Sequence, residues 1–398
     1  MGWQTVTDTV LSKILSDCTG SAYVFDSDVL CSRIKRIANA MPDGVSLCYA
    51  VKANTFIIKE LIGKVDRFEI CSPGEEKICY SLGVPKEQMV ISGVYKTPEV
   101  IEKTVADDSF DGLFTVESMH QFGLLCEYAV KYDRKVKLLL RLTNDSQFGI
   151  NAEEIEDIIS SRADYKNTEI CGIQFFSGTQ KTSVKKLRRE IEKADAFLTR
   201  LSDEYGYIAP EFEYGTGFAV SYFEGEEFCE DEYFAAFSEI LSSMTNKPHI
   251  TLEIGRAAAA SCGSYYTRVV DVKTNKEQNY ALTCGGMHQM VYFGQYMAMK
   301  QPHMHLALRE VHGDKKWNVC GSLCSMNDII VKEAPLGELE IGDVICFENT
   351  GAYCPTEGIS LFLSRDIPAV YIVKHGEVFR VRSAFETAVL NTPEYERI

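Results

Sequence analysis

The chain has no surplus of positive charge. Its 41 Lys and Arg stand against 57 Asp and Glu, a formal net charge of −16 over 398 residues. Such a surface repels nucleic acid and anionic lipid, so neither is expected as a partner, although a local basic pocket for one phosphate stays open. Long apolar runs are missing too: no stretch of about 18 residues could cross a bilayer, and no membrane association is expected. No charged-then-apolar leader precedes Ser21, which makes the cytoplasm the expected compartment. The 14 cysteines are scattered, no Cys-x-x-Cys pair repeats, and the Cys320/Cys324 pairing has no partner ligands nearby. A zinc site is therefore not expected, and no metal is assigned. Cys48, Cys171 and Cys346 lie in apolar runs, where a reduced thiol behaves as a small hydrophobe.

What the chain does have is globular composition, 45% hydrophobic and 25% charged, over a length that suggests two domains. Short apolar runs alternate with amphipathic stretches. The runs at 45–51, 67–71, 88–92, 112–116, 136–142, 169–175, 211–214 and 249–253 predict eight strands. Between them lie helix-spaced segments such as Val100-Ile101-x-x-Thr104-Val105 and Ile155-x-x-Ile158-Ile159. Eight βα units over roughly 210 residues predict a (β/α)₈ TIM-type barrel, whose sites form where strands end. After Gly255 the texture changes to short strands set off by Gly, Pro and Asn. The expected organisation is an N-terminal segment 1–27 that lends a strand to a β domain, a barrel over 28–256, and a mainly β C-terminal domain over 257–398.

The polar residues of interest cluster at predicted strand ends. Lys52 closes the run Val-Ser-Leu-Cys-Tyr-Ala-Val. It is either a rim lysine snorkelling to water or a desolvated amine able to form a Schiff base. Glu69 lies in the second strand, Arg141 ends the fifth and Phe176 follows the sixth. The turn Gly215-Thr216-Gly217 follows the seventh, where backbone amides for a phosphate are commonly built, although a lone Gly-x-Gly is more often loop punctuation. Glu253 and Arg256, around Gly255, are either a weak local ion pair or a carboxylate partner for a pyridine nitrogen. Lysine, phosphate turn and ring carboxylate together imply pyridoxal 5′-phosphate. In the β domain, Cys324 is either inert or a reactive thiol. Tyr353 is either a core tyrosine or a phenol for a phosphate oxygen.

In order along the chain stand Tyr-Ala-Val-Lys-Ala-Asn at 49–54, Ser-Gly-Thr-Gln at 177–180, Gly-Thr-Gly-Phe at 215–218, Glu-Ile-Gly-Arg at 253–256, Cys-Ser-Met-Asn-Asp at 324–328 and Gly-Ala-Tyr at 351–353. With these six motifs in register, the chain resembles the fold type III (alanine-racemase-fold) pyridoxal-phosphate decarboxylases, the group of diaminopimelate and ornithine decarboxylases. The resemblance implies α-decarboxylation of an amino acid on a Lys52 Schiff base. It implies that Glu69 and Arg141 stand near that lysine and that Gly215, Gly217 and Tyr353 hold the phosphate, with Gly255 and Arg256 assisting. Glu253 pairs with the ring nitrogen, and Cys324, from the second subunit of a homodimer with shared sites, acts as proton donor. The racemases of this fold place an arginine at the ring nitrogen, so Glu253 speaks against racemisation or epimerisation. A cofactor-bearing protein without turnover is disfavoured by the β domain.

Departures from the family pattern fall around the substrate. Phe176 stands where a histidine usually stacks on the cofactor ring. Ser325 replaces the acidic residue that receives the distal amine of lysine-like substrates, which removes about 1–3 kcal/mol of charge-assisted recognition. The loop after Arg141 is short. Phe176 before Ser-Gly-Thr-Gln and the non-acidic Ser325 after Cys324, with Gly285-Gly286-Met287-His288, resemble a branch that decarboxylates an aminoacyl group, such as glutamyl, tethered to a carrier protein. Ser325 and His288 are accordingly candidate substrate residues, with a structural histidine as the plainer reading of His288.

Overall fold

The computed structural model describes residues 6–396. By internal contacts the chain divides into two compact units. One comprises Ile34–Ala219 and Phe228–Ala258; the other comprises the described residues as far as Arg33, Val220–Glu227, and the chain from Ala259 onward. The division falls inside the helix Ser27–Asn39.

Strand β1 (Ala22–Asp26) belongs to the second unit and is fully buried. The first unit is a closed barrel of eight parallel strands. They are β2 (Ser46–Ala50), β3 (Arg67–Ile70), β4 (Met89–Ile91), β5 (Leu113–Val116), β6 (Val136–Leu142), β7 (Thr168–Phe176), β8 (Glu211–Gly215) and β9 (His249–Ile254). Each lies on a run read as a strand from the sequence, and the fold class read there holds. Closure is made by β2 against β9, with Cys48 opposite Glu253 and Tyr49 opposite Ile254.

Successive strand residues face opposite sides, and as both faces of these strands are largely buried, the cross-strand ion pairs and hydrogen bonds show which groups share the barrel interior. Phe68, Leu138, Leu140, Ile173, Phe212 and Leu252 are all buried. Burying each of these apolar side chains stabilises the fold by about 1.5–3 kcal/mol. They alternate with Arg67, Glu69, Arg141, Gln174, Glu211, Glu213, Thr251 and Glu253, which share the barrel interior. Polar caps start the helices that follow the strands: the hydroxyls of Ser72, Thr97 and Ser118 accept the N–H groups of Glu75, Val100 and Gln121. Each cap is worth about 1 kcal/mol and sets where the chain leaves the rim.

The second unit is built on a nine-stranded sheet. After β1 come β10 (Gly263–Asn275), β11 (Gln278–Thr283), β12 (Met304–Ala307), β13 (Trp317–Cys320), β14 (Ile329–Ala334), β15 (Val344–Phe347), β16 (Ala369–Lys374) and β17 (Glu377–Arg382). Strand β1 pairs antiparallel with β10 and parallel with β16. Two of these strands show little hydrophobic pattern: β12 is four residues long and includes His305, and β17 is largely exposed and pairs with β16 at the end of the strand path. Among the described residues all 14 cysteines are free thiols, and no helix is long and apolar enough to cross a membrane.

Candidate active site

Three consecutive strands, β8, β9 and β2, bring the central groups together. Gly215 on β8 lies opposite Glu253 on β9, and Glu253 lies opposite Cys48 on β2, four residues before Lys52. Lys52 sits in the single turn Val51–Ala53 that follows β2 directly. Its Nζ donates to Glu69 Oε2 at 2.5 Å and to Cys71 Sγ at 3.4 Å. The Lys52 side chain is 41% exposed at the rim, whereas Glu69 is only 4% exposed. Burial alone would raise the Glu69 carboxyl, but the Lys52 ammonium, the Cys71 thiol and Arg141 together bring it below its ordinary value. The Cys71 thiol is pushed well up, by burial first and by Glu69 next. An ionised carboxylate therefore faces the lysine.

Two other lysines of the barrel are committed elsewhere. Lys96 is buried and donates to Gly93 O (2.6 Å), Thr115 O (2.8 Å) and Gln121 Oε1 (3.2 Å); burial lowers its amine to about 8. Lys181 donates to Glu190 Oε2 and to the Tyr214 hydroxyl, each at 2.9 Å. Its backbone N–H also holds Gly217 O at 2.9 Å, tying the loop after β7 to the glycine turn.

Neither glycine of that turn has room for a side chain. A Cβ on Gly217, whose φ is +58°, would lie 2.0 Å from Gly178 O, and one on Gly215 would lie 2.4 Å from the Phe176 ring. Such a cradle of bare backbone beside a strand end suits a phosphate approached by N–H groups. Thr216 fastens the turn to β9 through its hydroxyl, which donates to Glu253 O at 3.0 Å. Arg256, buried just past Gly255, donates from Nε to Thr179 Oγ1 at 3.3 Å.

Glu253 is 8% exposed and accepts from Gln174 Nε2 at 3.0 Å. Burial and the nearby Glu69 raise it to about 6 against the pull of Lys52. Arg141 is buried in an ion pair with Glu117, whose other oxygen accepts the Gly149 N–H at 3.1 Å. Its guanidinium lies over the Phe148 ring at 4.8 Å. Glycine cradle, buried acid and rim lysine fit pyridoxal 5′-phosphate, a phosphate ester of a protonatable pyridine aldehyde.

The remaining sequence-derived candidates lie in the second unit. Asp328 organises three of them: its carboxylate accepts Met287 N–H at 2.7 Å and Leu323 N–H at 2.8 Å, and its own N–H donates to Ser325 O at 3.1 Å. Side chains on Gly286 or Gly321 would collide with that carboxylate, at 2.6 and 2.2 Å. The Gly285–His288 and Cys320–Asp328 loops are thus pinned together. Cys324 is exposed and Ser325 half-buried, whereas His288 is 1% exposed with neither ring nitrogen hydrogen-bonded. Burial lowers the His288 ring to about 4, so it is neutral at pH 7. Tyr353 is half-buried with a left-handed backbone, φ +65°.

Several polar groups were not singled out from the sequence: Glu117, Lys96, Gln174, Lys181, Glu213 and Asp328 as an anchor. Glu117 carried a legible signal, since it directly follows a strand end. Gln174 and Glu213 lie inside strands, where an isolated polar residue gives no sign of which side it faces.

The chain is 26% identical over 384 residues to a diaminopimelate decarboxylase of Aquifex aeolicus, covering 90% of this chain and 88% of that one. It is 22% identical over 392 residues to the L-glutamyl acyl-carrier-protein (BtrI) decarboxylase of Niallia circulans, with 90% of each chain covered. The crystal structure of diaminopimelate decarboxylase from M. jannaschii with L-lysine superposes with a TM-score of 0.84 at 21% identity, over 95% of this chain and 92% of that one, a likeness of fold. The family model for the pyridoxal-binding domain of pyridoxal-dependent decarboxylases matches residues 28–260, more than half of the sequence. The chain belongs to the pyridoxal-dependent decarboxylases, and pyridoxal phosphate is its cofactor.

Proposed function

We propose that this protein removes the α-carboxylate of an amino acid, with the cofactor held by Lys52. The observation that carries the reading is the placement of the glycine turn, the buried Glu253 and Lys52 on three adjoining strands of one barrel rim. When bound, pyridoxal 5′-phosphate supplies an electron sink for the pair left behind as carbon dioxide departs.

The protein's residues do the rest. Lys52 supplies the amine, and Glu69, kept ionised, holds its proton and aims it. The Gly215–Gly217 backbone, with Gly255 and Arg256, receives the phosphate. Glu253 faces the ring nitrogen as a carboxylate and keeps a proton there, which strengthens the sink. Phe176 lines the turn with an apolar face. Arg141, neutralised by Glu117, keeps positive charge near the lysine without an unpaired buried ion. Family likeness assigns Tyr353 to the phosphate and Cys324, from a second copy of the chain, to the returning proton. A homodimer is the proposed working form.

The substrate class proposed first is a free diamino acid of the diaminopimelate or ornithine kind, in keeping with the Aquifex aeolicus relative. Ser325 favours a second reading: without a carboxylate there, a substrate with no distal ammonium, such as glutamate tethered to a carrier protein, fits better. The N. circulans relative supports it. Carbon dioxide release measured over free amino acids and over carrier-loaded glutamate tests both. Release from meso-diaminopimelate supports the first, and release from the loaded carrier alone supports the second. Inverted substrate without carbon dioxide would overturn decarboxylation altogether.

A further inference from the structure

Strand β8 carries two carboxylates into the barrel, Glu211 and Glu213, on the same face as Gly215. Glu211 is satisfied: it is ion-paired with Arg67 and accepts the Thr251 hydroxyl at 2.6 Å. Glu213 is not. It is fully buried, no N–H or hydroxyl donates to either oxygen, its hydrogen-bonding neighbour is the Glu253 carboxyl, and Arg67 Nη1, at 3.9 Å, is already engaged by Glu211.

An ionised carboxylate in that position is an isolated buried charge, which proteins avoid by protonation. The hydrogen-bond inventory agrees. Gln174 lies directly opposite Glu213 across β7 and β8; its Nε2 donates to Glu253 while its Oε1 has no donor. An ionised Glu213 would add two more acceptors to a place already short of donors. A protonated Glu213 supplies an O–H, and the Glu253 carboxyl beside it can accept it.

We propose that Glu213 stands as a neutral acid in the barrel core and is the positioning residue for Glu253, carrying the proton so that Glu253 can carry the charge. The groups facing it are Cys48 from β2, Arg67 from β3, Gln174 from β7, Glu211 from its own strand and Glu253 from β9. Burial first, then Glu253 and Glu211, push the Glu213 carboxyl well above its ordinary value, and Arg67 only partly offsets them. Of two neighbouring carboxyls that cannot both ionise at low cost, one is held neutral and the other stays charged. The charged member is the one assigned to the ring nitrogen, so this inference rests on that assignment of Glu253.

Infrared spectroscopy of the cofactor-free protein at pH 8, with cofactor titration followed by visible absorbance, tests it. The wild type is expected to show the carbonyl stretch of a protonated carboxylic acid; Glu213→Gln removes it and Glu253→Gln retains it. Glu213→Gln, a neutral donor and acceptor of the same shape, binds cofactor within about threefold of wild type, and Glu213→Leu weakens binding by about tenfold or more. A wild type without that band, or a band untouched by Glu213→Gln, overturns the proposal, as does a Glu213→Leu protein that binds cofactor as wild type does. Should the leucine variant fail to fold, the glutamine band decides alone. A wild type that binds no cofactor would instead sink the decarboxylase reading, which the infrared band does not touch.

Discussion

The barrel rim and the Cys320–Asp328 loop treat polar groups in opposite ways. On the rim, polar groups are interlocked and the carboxylates are buried: Arg141 with Glu117, the exposed Lys52 with Glu69, Gln174 with Glu253. Their positions follow from strand register, so each strand end contributes one group and neighbouring strands supply its partner. On the loop, Cys324 and Met326 are exposed, and a single buried carboxylate, Asp328, holds the backbone beneath them. The rim gathers the lysine, the glycine turn and the buried acid within one barrel. The loop presents its thiol outward, and the proposed homodimer gives that thiol a destination.

Breaking the rim should cost most. Lys52→Ala is expected to lower carbon dioxide release by about ten thousandfold, roughly 5.5 kcal/mol of barrel-borne catalysis, and to abolish the cofactor's visible absorbance. Arg141→Ala leaves Glu117 buried without its cation and should destabilise the protein by about 3–5 kcal/mol in denaturant titration. Asp328→Ala tests the loop. The buried Leu323 N–H loses its acceptor, at about 1–3 kcal/mol, the part-buried Met287 N–H can turn to water, and amide exchange at both should accelerate. If Asp328→Ala instead proved the costlier of the last two, the contrast between rim and loop would fail.

The smallest effect is in pH. Glu253 has its carboxyl raised from 4.5 in the unfolded chain to about 6 in the fold. The folded state therefore binds more protons between those values, and stability falls as pH rises through them. For this group the loss is about 2 kcal/mol between pH 4 and pH 8. Glu69 works in the opposite sense: its lowered carboxyl contributes stability that is lost as pH falls below the ordinary carboxylate range. Urea midpoints of cofactor-free Glu253→Gln and wild type across that interval isolate the first contribution; equal slopes would contradict it.

Much of this was legible in the sequence because the barrel writes itself in alternation: eight apolar runs, each with a polar residue where it stops. Lys52, Glu253 and the Gly215–Gly217 turn could be named from position alone. Their adjacency could not, because it depends on β2 closing against β9, a pairing between residues about 200 apart in the chain. Glu213 was invisible for another reason. In Glu-Phe-Glu-Tyr-Gly two carboxylates share a face, but only a closed barrel makes that face an interior. Strands β12 and β17 were missed because the first is too short and the second too exposed to show a hydrophobic period.

The central claim is that the barrel carries the cofactor covalently at Lys52. Borohydride reduction of the cofactor-loaded protein, followed by digestion and mass spectrometry, tests it most directly. A pyridoxyl group on the Lys52 peptide is the predicted result; the same group on Lys96 or Lys181, or on no lysine, would contradict the account.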